Sequence, residues 1–137
     1  MAVDFDFSGR VAVVTGASGA LGSAVARAFD DAGATVAAVD VVEPSADDAL
    51  LDPGTPAAFY EADLTDEADV EETVAAVVDD YGGVDALCNI AGTWRGGQPI
   101  EETGVEEFDL LFDVNLKTMF LASKHAIPHL RERDGPI

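Results

Sequence analysis

The segment that most constrains the fold of this chain lies between a short apolar run and a helical pattern. The run Arg10–Val14 is rich in β-branched residues and has no polar alternation, which is typical of a strand buried on both faces. Thr15–Gly22 follows with three glycines, and apolar residues then recur at helical spacing until Gly33. A strand, a glycine-rich turn and a helix in this order predict the first unit of a parallel α/β sheet. The apolar positions of this first helix are Leu21, Val25, Ala28 and Phe29.

Strand-like and helix-like patterns continue to alternate after this unit. Further strands are predicted at Thr35–Val39, Ala57–Tyr60 and Val84–Ile90. Between the last two strands, Thr65 or Asp66 is expected to cap a second helix, which a glycine pair ends. The apolar face of this helix comprises Val70, Val74, Val77 and Tyr81.

A long final helix is predicted over residues 103–131. Thr103 and Glu106 have the spacing of a capping box, and Pro128 is expected to end or kink the helix. Its inner stripe is predicted to consist of Phe108, Leu111, Phe112, Leu116, Met119 and Phe120. We expect this stripe to lie in the core or in a subunit interface.

This order of elements predicts one fold class and one domain. Strands and helices alternate without an internal boundary, which favours a parallel sheet covered by helices on both faces. The segment 41–56 is rich in proline and predicts a loop with one short helix near 46–51. Residues 1–137 are therefore expected to form a Rossmann-type, doubly wound domain with about four strands in the order 3-2-1-4. Residues 135–137 look like the opening of a fifth strand, so we expect a domain that is incomplete at its carboxyl end.

The glycine segment has the features of a phosphate-binding loop. The N–H groups at the start of a helix are unsatisfied, and the helix dipole favours negative charge there. Gly16 permits the tight turn, Gly19 leaves room for a pyrophosphate, and Gly22 is expected to let the helix pack close to the strand. A turn without a ligand is the structural alternative. The strand before it, the helix after it and an acidic residue downstream favour dinucleotide binding.

Asp40 is that acidic residue, and it ends the second strand 24 residues after Gly16. A carboxylate at this position accepts hydrogen bonds from the ribose hydroxyls of NAD and repels the 2′-phosphate of NADP. The sequence has no lysine or arginine between Arg27 and Arg95 to neutralise such a phosphate. An ordinary solvated aspartate is the alternative, but the pattern favours NAD as the cofactor.

The charge of the chain excludes several classes of partner. Acidic residues number 27 against 7 basic ones, and the net charge of −20 is spread along the sequence. Such a field repels nucleic acid and anionic lipid, and no apolar stretch is long enough to span a membrane, so we expect neither kind of partner. A basic partner is one explanation, but the even spread favours a halophilic protein that loses structure in low salt. The acidic N-terminus lacks a signal-peptide pattern and favours a cytoplasmic location.

Other chemically active residues carry weaker indications. Cys88 is the only cysteine and lies in an apolar run, which predicts a small hydrophobic side chain and not a nucleophile. His125 and His129 share a helical face, but no third ligand has matching spacing, so we expect no metal site. Trp94 and Arg95 are candidates for substrate contact or for an ordinary surface loop.

Four segments resemble motifs of the short-chain dehydrogenase/reductase family. They are the glycine motif at Thr15–Gly22, the adenine-contacting element at Asp63–Thr65, the Asn-x-Ala-Gly signature at Asn89–Gly92 and the segment Asp113–Lys117 with the catalytic Asn. The last two segments are similar to the classical branch of the family. The glycine spacing is instead that of the extended branch, which contains sugar-nucleotide epimerases and dehydratases.

The resemblance implies hydride transfer between NAD and an alcohol or ketone substrate. It also implies that Asn115 is a catalytic residue that helps to hold a water in a proton relay, with a merely structural buried amide as the alternative. Gly92 is expected to let the backbone pass near the bound nucleotide. The residues expected to bind the cofactor are Gly16, Ser18, Gly19, Leu21, Gly22, Asp40, Asp63, Leu64, Asn89, Ala91 and Gly92.

The resemblance further implies residues that the 137-residue sequence lacks. In the family a catalytic Ser and a Tyr-x-x-x-Lys pair follow the next strand, and neither Tyr60 nor Tyr81 has a lysine four residues on. We therefore expect this chain to bind NAD weakly and to be inactive alone. Its Val84–Ile90 strand is expected to be an unpaired apolar edge, which predicts self-association or poor solubility. The complete enzyme is expected to be a homo-oligomer through the 103–131 helix.

Two alternative functions remain open from the sequence. One is a non-catalytic NAD-binding module that a partner chain completes, and recovery of activity on mixing the two chains would identify it. The other is a fragment of an extended-type epimerase or dehydratase. Activity of a completed chain on simple alcohols would argue against the second alternative.

Overall fold

A computed structural model of the protein describes residues 4–42 and 58–134, and four segments of this part form one parallel sheet. The strands are β1 (Val11–Thr15), β2 (Thr35–Asp40), β3 (Ala58–Glu61) and β4 (Ala86–Cys88). They lie in the order β3-β2-β1-β4, which confirms the predicted order 3-2-1-4. Every residue of β1 is buried and pairs with β2 in parallel register. The glycine loop that follows β1 therefore starts from the middle of the sheet.

Helices cover both faces of this sheet. Helix α1 (Ala20–Asp31) packs on one face, whereas α2 (Glu67–Tyr81) and α4 (Thr118–Arg133) pack on the other. Side chains alternate along the strands, so Val13 belongs to the core under α2 and α4, and Val14 to the core under α1. This arrangement confirms the predicted doubly wound, Rossmann-type architecture.

The apolar face that was predicted for α1 is partly wrong. Val25 and Phe29 pack against the sheet, but Leu21 is 66% exposed. The buried residues of α1 are Gly22, Ser23 and Ala26. Only small side chains fit where the helix approaches the sheet so closely. The larger Leu21 instead lines the cleft described below.

Both ends of α2 agree with the predicted signals. Asp66, and not Thr65, is the N-cap, and its carboxylate accepts the N–H groups of Ala68 at 2.9 Å and Asp69 at 3.3 Å. Gly82 ends the helix in the left-handed conformation. Three of the predicted apolar residues are buried, namely Val70, Val74 and Val77.

The final helical region differs most from the prediction. It contains a 3-10 turn (Ile100–Glu102), α3 (Val105–Phe112), a π-helical segment (Asp113–Lys117) and α4. The predicted capping box does not form. Gly104 is the N-cap of α3, and the hydroxyl of Thr103 donates to the carbonyl oxygen of Pro99 at 3.2 Å. Because this hydroxyl satisfies the preceding turn, it is not the cap of the helix.

The predicted inner stripe of this region is not in the core. Five of its side chains are between 42% and 61% exposed, and we call them the outer stripe: Phe108, Phe112, Leu116, Met119 and Phe120. A π-helical segment inserts an extra residue into a turn and so rotates the following helix. As a result α4 buries a different set, comprising Thr118, Leu121, Ala122, Ala126 and Leu130. Their packing also carries α4 through Pro128 to Arg133, so this proline does not end the helix.

Strand β4 is shorter than the predicted Val84–Ile90. Before it, the carboxylate of the buried Asp85 accepts the N–H of Val11 at 2.8 Å, and the N–H of Asp85 donates to the carbonyl oxygen of Val11 at 2.8 Å. After it, the N–H of Ile90 donates to the hydroxyl of Thr15 at 3.0 Å and not to a neighbouring strand. A side-chain acceptor therefore replaces strand pairing at the end of β4.

Several predicted features lie outside the described residues. They are most of the loop at 41–56 with its short helix near 46–51, the first residue of the third predicted strand, and the opening of a fifth strand at 135–137. Within the described ranges, none of the helices combines the length and the hydropathy that crossing a bilayer requires.

Candidate functional site

A cleft of about 510 Å³ lies at the carboxyl ends of the strands. This edge is where open parallel sheets bind ligands. Its wall contains the glycine loop after β1, Asp40 and Val41 at the end of β2, Ala62–Thr65 after β3 and Ile90–Thr93 after β4. Val114 and Thr118 add to the wall from the last helical region.

All the residues that were predicted to bind a cofactor line this cleft except Ser18 and Asn89. Those that line it are Gly16, Gly19, Leu21, Gly22, Asp40, Asp63, Leu64, Ala91 and Gly92. The predicted catalytic Asn115 does not line it. The wall residues that were not predicted to bind a cofactor are Ala20, Val41, Ala62, Thr65, Ile90, Thr93, Val114 and Thr118. Four of these lie inside the motif segments, namely Ala20, Thr65, Ile90 and Val114. All the others except Thr118 directly adjoin a predicted residue.

Two glycines of the loop occupy positions that no larger residue can take. Gly16 has a φ of +64°, and a Cβ there would lie 2.8 Å from the Cα of Ala91. A Cβ on Gly22 would lie 1.9 Å from the carbonyl oxygen of Gly16. The nearest neighbours of Gly22 are Gly16 and Ala17, which directly follow β1, so Gly22 lets α1 approach the glycine loop at the end of this strand. Helix and loop are packed backbone against backbone.

Gly19, the remaining glycine of the loop, is the N-cap of α1 and has no such steric conflict. A Cβ there would lie 3.4 Å from the carbonyl oxygen of Gly16, which is an ordinary contact. Gly19 makes no side-chain capping bond, so it does not satisfy the first N–H groups of α1. Because Gly19, Ala20 and Leu21 line the cleft, the partial positive charge of this helix end lies at the cleft wall. The arrangement suits a phosphate group.

The carboxylate of Asp40 joins the end of β2 to the glycine loop. Its Oδ2 accepts the N–H of Ser18 at 3.0 Å, and its Oδ1 accepts the N–H of Val41 at 2.7 Å. The hydroxyl of Ser18 donates to the carbonyl oxygen of Val42, so Ser18 supports the site from behind the wall. No lysine or arginine in the described part of the chain lines the cleft. Asp40 is therefore a fixed negative charge without a cationic neighbour in the wall.

Thr15 joins the end of β1 to the end of β4 at the cleft, a role that no sequence pattern predicted. Its buried hydroxyl donates to the carbonyl oxygen of Cys88 at 3.3 Å and accepts the N–H groups of Ile90 at 3.0 Å and Ala91 at 3.1 Å. These bonds fix the Ile90–Ala91 backbone against which Gly16 packs. The signal in the sequence is a single hydroxyl at the end of an otherwise apolar buried strand.

Asp63 contributes a second carboxylate to the wall. Its Oδ1 accepts the hydroxyl of Thr65 at 2.6 Å and the N–H of the same residue at 2.9 Å. These hydrogen bonds hold the pKa of Asp63 below its ordinary value. The neighbouring Leu64 is buried, so the segment is anchored by one apolar side chain and one turn. The carboxylate of Asp63 therefore keeps its charge at lower pH than an ordinary aspartate does.

Asn115 lies in the π-helical segment and is exposed, which corrects the expectation of a buried amide. Its Oδ1 accepts the N–H of Thr93 at 2.9 Å, and its Nδ2 donates to the carbonyl oxygens of Thr93 and Leu111 at 2.9 Å each. A Cβ on Gly92 would lie 2.8 Å from this Oδ1. In this structure Gly92 therefore makes room for Asn115, and both side-chain N–H donors of Asn115 are in use.

Asn89 lies beside the cleft. Its Nδ2 donates to the hydroxyl of Ser123 at 3.2 Å, which ties the end of β4 to α4. Its Oδ1 is buried and has no hydrogen-bond partner among the described residues. A buried carbonyl oxygen without a donor destabilises the protein, so a donor that reached this atom would be stabilising.

Three other chemically active side chains do not line the cleft. His125 lies 3.0 Å from the carboxylate of Glu67. Burial raises the pKa of the Cys88 thiol, which disfavours a nucleophilic thiolate. The hydroxyl of Tyr60 donates to Asp80 at 2.6 Å, and burial followed by this contact raises the pKa of the phenol. None of the three is prepared for acid–base work at the cleft.

Comparison with known proteins connects this site to one family. The sequence matches the family described as short chain dehydrogenase over residues 10–137. The L-fucose dehydrogenase of Oryctolagus cuniculus is 38% identical over 137 residues, which are 100% of this chain and 48% of that protein. The chain spans about half the length of the curated relatives it matches.

Solved structures share the fold. A glucose/ribitol dehydrogenase from Brucella melitensis, described as a short-chain dehydrogenase/reductase, superposes with a TM-score of 0.85 at 32% identity, over 93% of this chain and 54% of that one. An NADH-dependent reductase complexed with NAD gives a TM-score of 0.80 at 29% identity, over 92% of this chain and 54% of that one. The described fold thus recurs in dehydrogenases and reductases of about twice the length.

Proposed function

Because the chain belongs to the short-chain dehydrogenase family, we propose that it is the NAD-binding part of an oxidoreductase that transfers hydride between NAD and an alcohol or ketone carbon. Members of this family with a Rossmann fold generally bind NAD or NADP. The relatives named above are dehydrogenases and a reductase. The activity is proposed for the whole protein, since the chain spans about half the length of those relatives.

The observation that carries this proposal is the fit of the glycine loop to a pyrophosphate. A Cβ is excluded at Gly16 and Gly22, so backbone atoms alone form this part of the wall. The start of α1 beside it lacks a side-chain cap and offers N–H groups and a favourable dipole. The cleft of about 510 Å³ is within the range of cofactor sites, roughly 300–1,000 Å³.

We propose NAD and not NADP as the cofactor on the basis of Asp40. Its carboxylate is held at the loop by the N–H groups of Ser18 and Val41 and can accept the ribose hydroxyls of NAD. The 2′-phosphate of NADP would meet this negative charge without a lysine or arginine in the described wall. Bringing these like charges together would raise the binding free energy of NADP by roughly several kcal/mol.

NAD supplies the nicotinamide ring that accepts or donates hydride when it is bound. Asn115 would shape the wall by fixing both backbone polar groups of Thr93. Since its N–H groups are used on Thr93 and Leu111, Asn115 would hold a relay water through an acceptor oxygen. Proton exchange with the substrate also needs an acid–base residue. The family's Ser and Tyr-x-x-x-Lys are not among these 137 residues, so we propose that this group comes from outside this sequence.

A second candidate is an NAD-binding module that a partner chain completes. The buried Oδ1 of Asn89, which has no partner among the described residues, favours a further chain segment beside β4. Mixing this chain with a separate carboxyl-terminal chain and measuring NAD reduction distinguishes this candidate. The epimerase alternative has only the glycine spacing in its favour, whereas the relatives named above are dehydrogenases and a reductase.

We further propose a polyhydroxylated substrate. One relative is named for L-fucose and another for glucose and ribitol, and each of these compounds carries several hydroxyl groups on adjacent carbons. The whole protein would then oxidise a secondary or anomeric hydroxyl, or reduce the corresponding carbonyl.

We also propose that the protein self-associates and that it works in a high-salt cytoplasm. The outer stripe is an apolar helix face that the described part of the chain leaves exposed, and a second copy of the chain would cover it. The net charge of −20 supports adaptation to high salt, where counterions screen the repulsion between carboxylates.

The experiment that tests the proposed function compares the binding of NAD and NADP by calorimetry. We expect NAD to bind the wild type at least about tenfold more tightly, and we expect Asp40→Ala to narrow that ratio because the repulsion is removed. Asp79→Ala is the matched control, since it removes one exposed carboxylate from α2, away from the cleft wall. Equal binding of both cofactors by the wild type would contradict the NAD assignment. Binding of neither would contradict the proposal that this chain is the NAD-binding part of an oxidoreductase.

A further inference from the structure

The loop Thr93–Gln98 is anchored at both ends, next to the cleft. At its start, the side chain of Asn115 bonds both the N–H and the carbonyl oxygen of Thr93, which is a wall residue. At its end, the amide of Gln98 donates to the carboxylate of Glu107 in α3. The residues between these anchors are exposed.

Trp94 is the large apolar residue of this loop, and its indole is 80% exposed. It follows the wall residue Thr93 directly in the chain. The indole lies over Gly96, since a Cβ there would come within 2.8 Å of Cζ2 and 3.2 Å of Cε2 of Trp94. The ring is therefore supported by the loop's own backbone while most of its surface faces solvent.

A ligand that binds to an indole held in this way loses little conformational entropy to ordering the side chain. Burying a tryptophan removes a large apolar area from water, and its ring has few rotatable bonds to immobilise. Contact between so large an apolar surface and water is unfavourable, so a ligand that covers the indole gains from its burial. The neighbouring Arg95 is also exposed and offers a planar fork of N–H donors.

We propose that Trp94 is a specificity-determining residue that stacks against the C–H face of a sugar ring bound at this end of the cleft. A pyranose presents a flat patch of polarised C–H groups, which matches the negative face of an indole, and a rim of hydroxyls, which matches Arg95. A small alcohol has no such face. The inference rests on the proposed function, because it concerns how that site selects a polyhydroxylated substrate.

The test uses the fact that Trp94 is the only tryptophan in the sequence. Indole fluorescence of the 137-residue chain, saturated with NADH, is followed while L-fucose is added, and 2-propanol is added in a parallel titration. We expect a saturable change in emission with L-fucose and none with 2-propanol. Calorimetry then gives the dissociation constants of NADH and L-fucose for each variant.

Three variants separate stacking from a merely structural loop. Trp94→Ala is expected to weaken L-fucose binding about tenfold and Trp94→Phe much less, because the smaller ring keeps part of the stacking surface. Gly96→Ala keeps the tryptophan but pushes the indole from its support, so it is expected to weaken L-fucose binding while leaving fluorescence readable. NADH binding is expected to be unchanged in all three.

The outcomes distinguish this inference from the proposed function. If NADH binds and L-fucose binds equally well to the wild type and to Trp94→Ala, the stacking role is wrong while the oxidoreductase proposal stands. If the wild type binds NADH but no L-fucose, the sugar site and the role of Trp94 are both overturned. If emission responds to protein concentration and not to sugar, the indole belongs to an interface between chains, and the inference is overturned.

Discussion

In the glycine loop a Cβ on Gly22 would come within 1.9 Å of a backbone oxygen, whereas on the outer stripe Phe112 keeps 50% of its surface exposed. The loop residues are fixed by contacts inside the chain. The stripe residues carry as much apolar character but find no cover in the described part of the molecule. Glycine spacing therefore specifies a geometry, whereas an apolar helical stripe specifies only that some apolar surface covers it.

The largest effect is expected from breaking the loop with Gly22→Ala. The new methyl group and the carbonyl group of Gly16 cannot both keep their positions, so helix α1 or the loop must move. We expect the free energy of unfolding to fall by about 3 kcal/mol and NAD binding to be lost. Chemical denaturation measures the first change and calorimetry the second.

Gly104→Ala is the matched control for this substitution. Gly104 is the N-cap of α3, has an ordinary negative φ, and a Cβ there would meet nothing within 4 Å. We expect a loss below about 1 kcal/mol, because alanine is a poorer N-cap than glycine, and no change in NAD affinity. A Gly22→Ala protein that binds NAD as tightly as the wild type would show that the backbone contact is dispensable.

The same contrast explains how much of the fold could be predicted from the sequence. The strand order follows from the alternation of β-branched runs with helical patterns, and the cleft follows from the carboxyl ends of those strands. Periodicity also placed the outer stripe on one helix face. It could not reveal the π-helical segment Asp113–Lys117, which changes the register, because no residue type reports an inserted turn residue.

At the site, motifs located the wall but not the contacts behind it. Gly16 and Asp40 line the cleft as predicted, and their roles toward NAD stay a prediction. The hydroxyl of Thr15 and the two bonds between Asn115 and Thr93 depend on residues more than 20 positions apart. Such pairings arise only once the sheet has formed, so a local pattern does not contain them.

A smaller effect on stability, but a clear one on association, is expected from the outer stripe. The double substitution of Phe112→Ser and Leu116→Ser removes apolar surface that is already exposed, so the free energy of unfolding of the isolated chain should change by less than about 1 kcal/mol. We expect self-association to be lost, since the surface proposed to join two copies is removed. Sedimentation velocity at several protein concentrations measures this change.

Phe5→Ser is the control for the stripe, because Phe5 is 66% exposed but lies outside it. This variant should associate as the wild type does. A wild type that stays monomeric at every concentration would remove the proposed interface. Association that persists in the double variant would place the interface elsewhere. The stripe would then be covered by something other than a second copy of the chain.

The smallest effect is expected at Glu67, an exposed contact between α2 and α4 that belongs to neither region. This first residue of α2 accepts hydrogen bonds from Lys124 and His125 of α4, and these bonds hold the pKa of Glu67 below its usual value of 4.5. A carboxylate whose pKa is lower in the folded protein stabilises it above the unfolded pKa, and this contribution is lost as the pH falls through the folded value. We therefore expect the wild type to melt at a higher temperature than Glu67→Gln near neutral pH, with the difference shrinking in acid and in high salt. Glu72→Gln, at an exposed position of the same helix, is the matched control. A difference for Glu67→Gln that stays constant with pH would mean that the charge of Glu67 does not join α2 to α4.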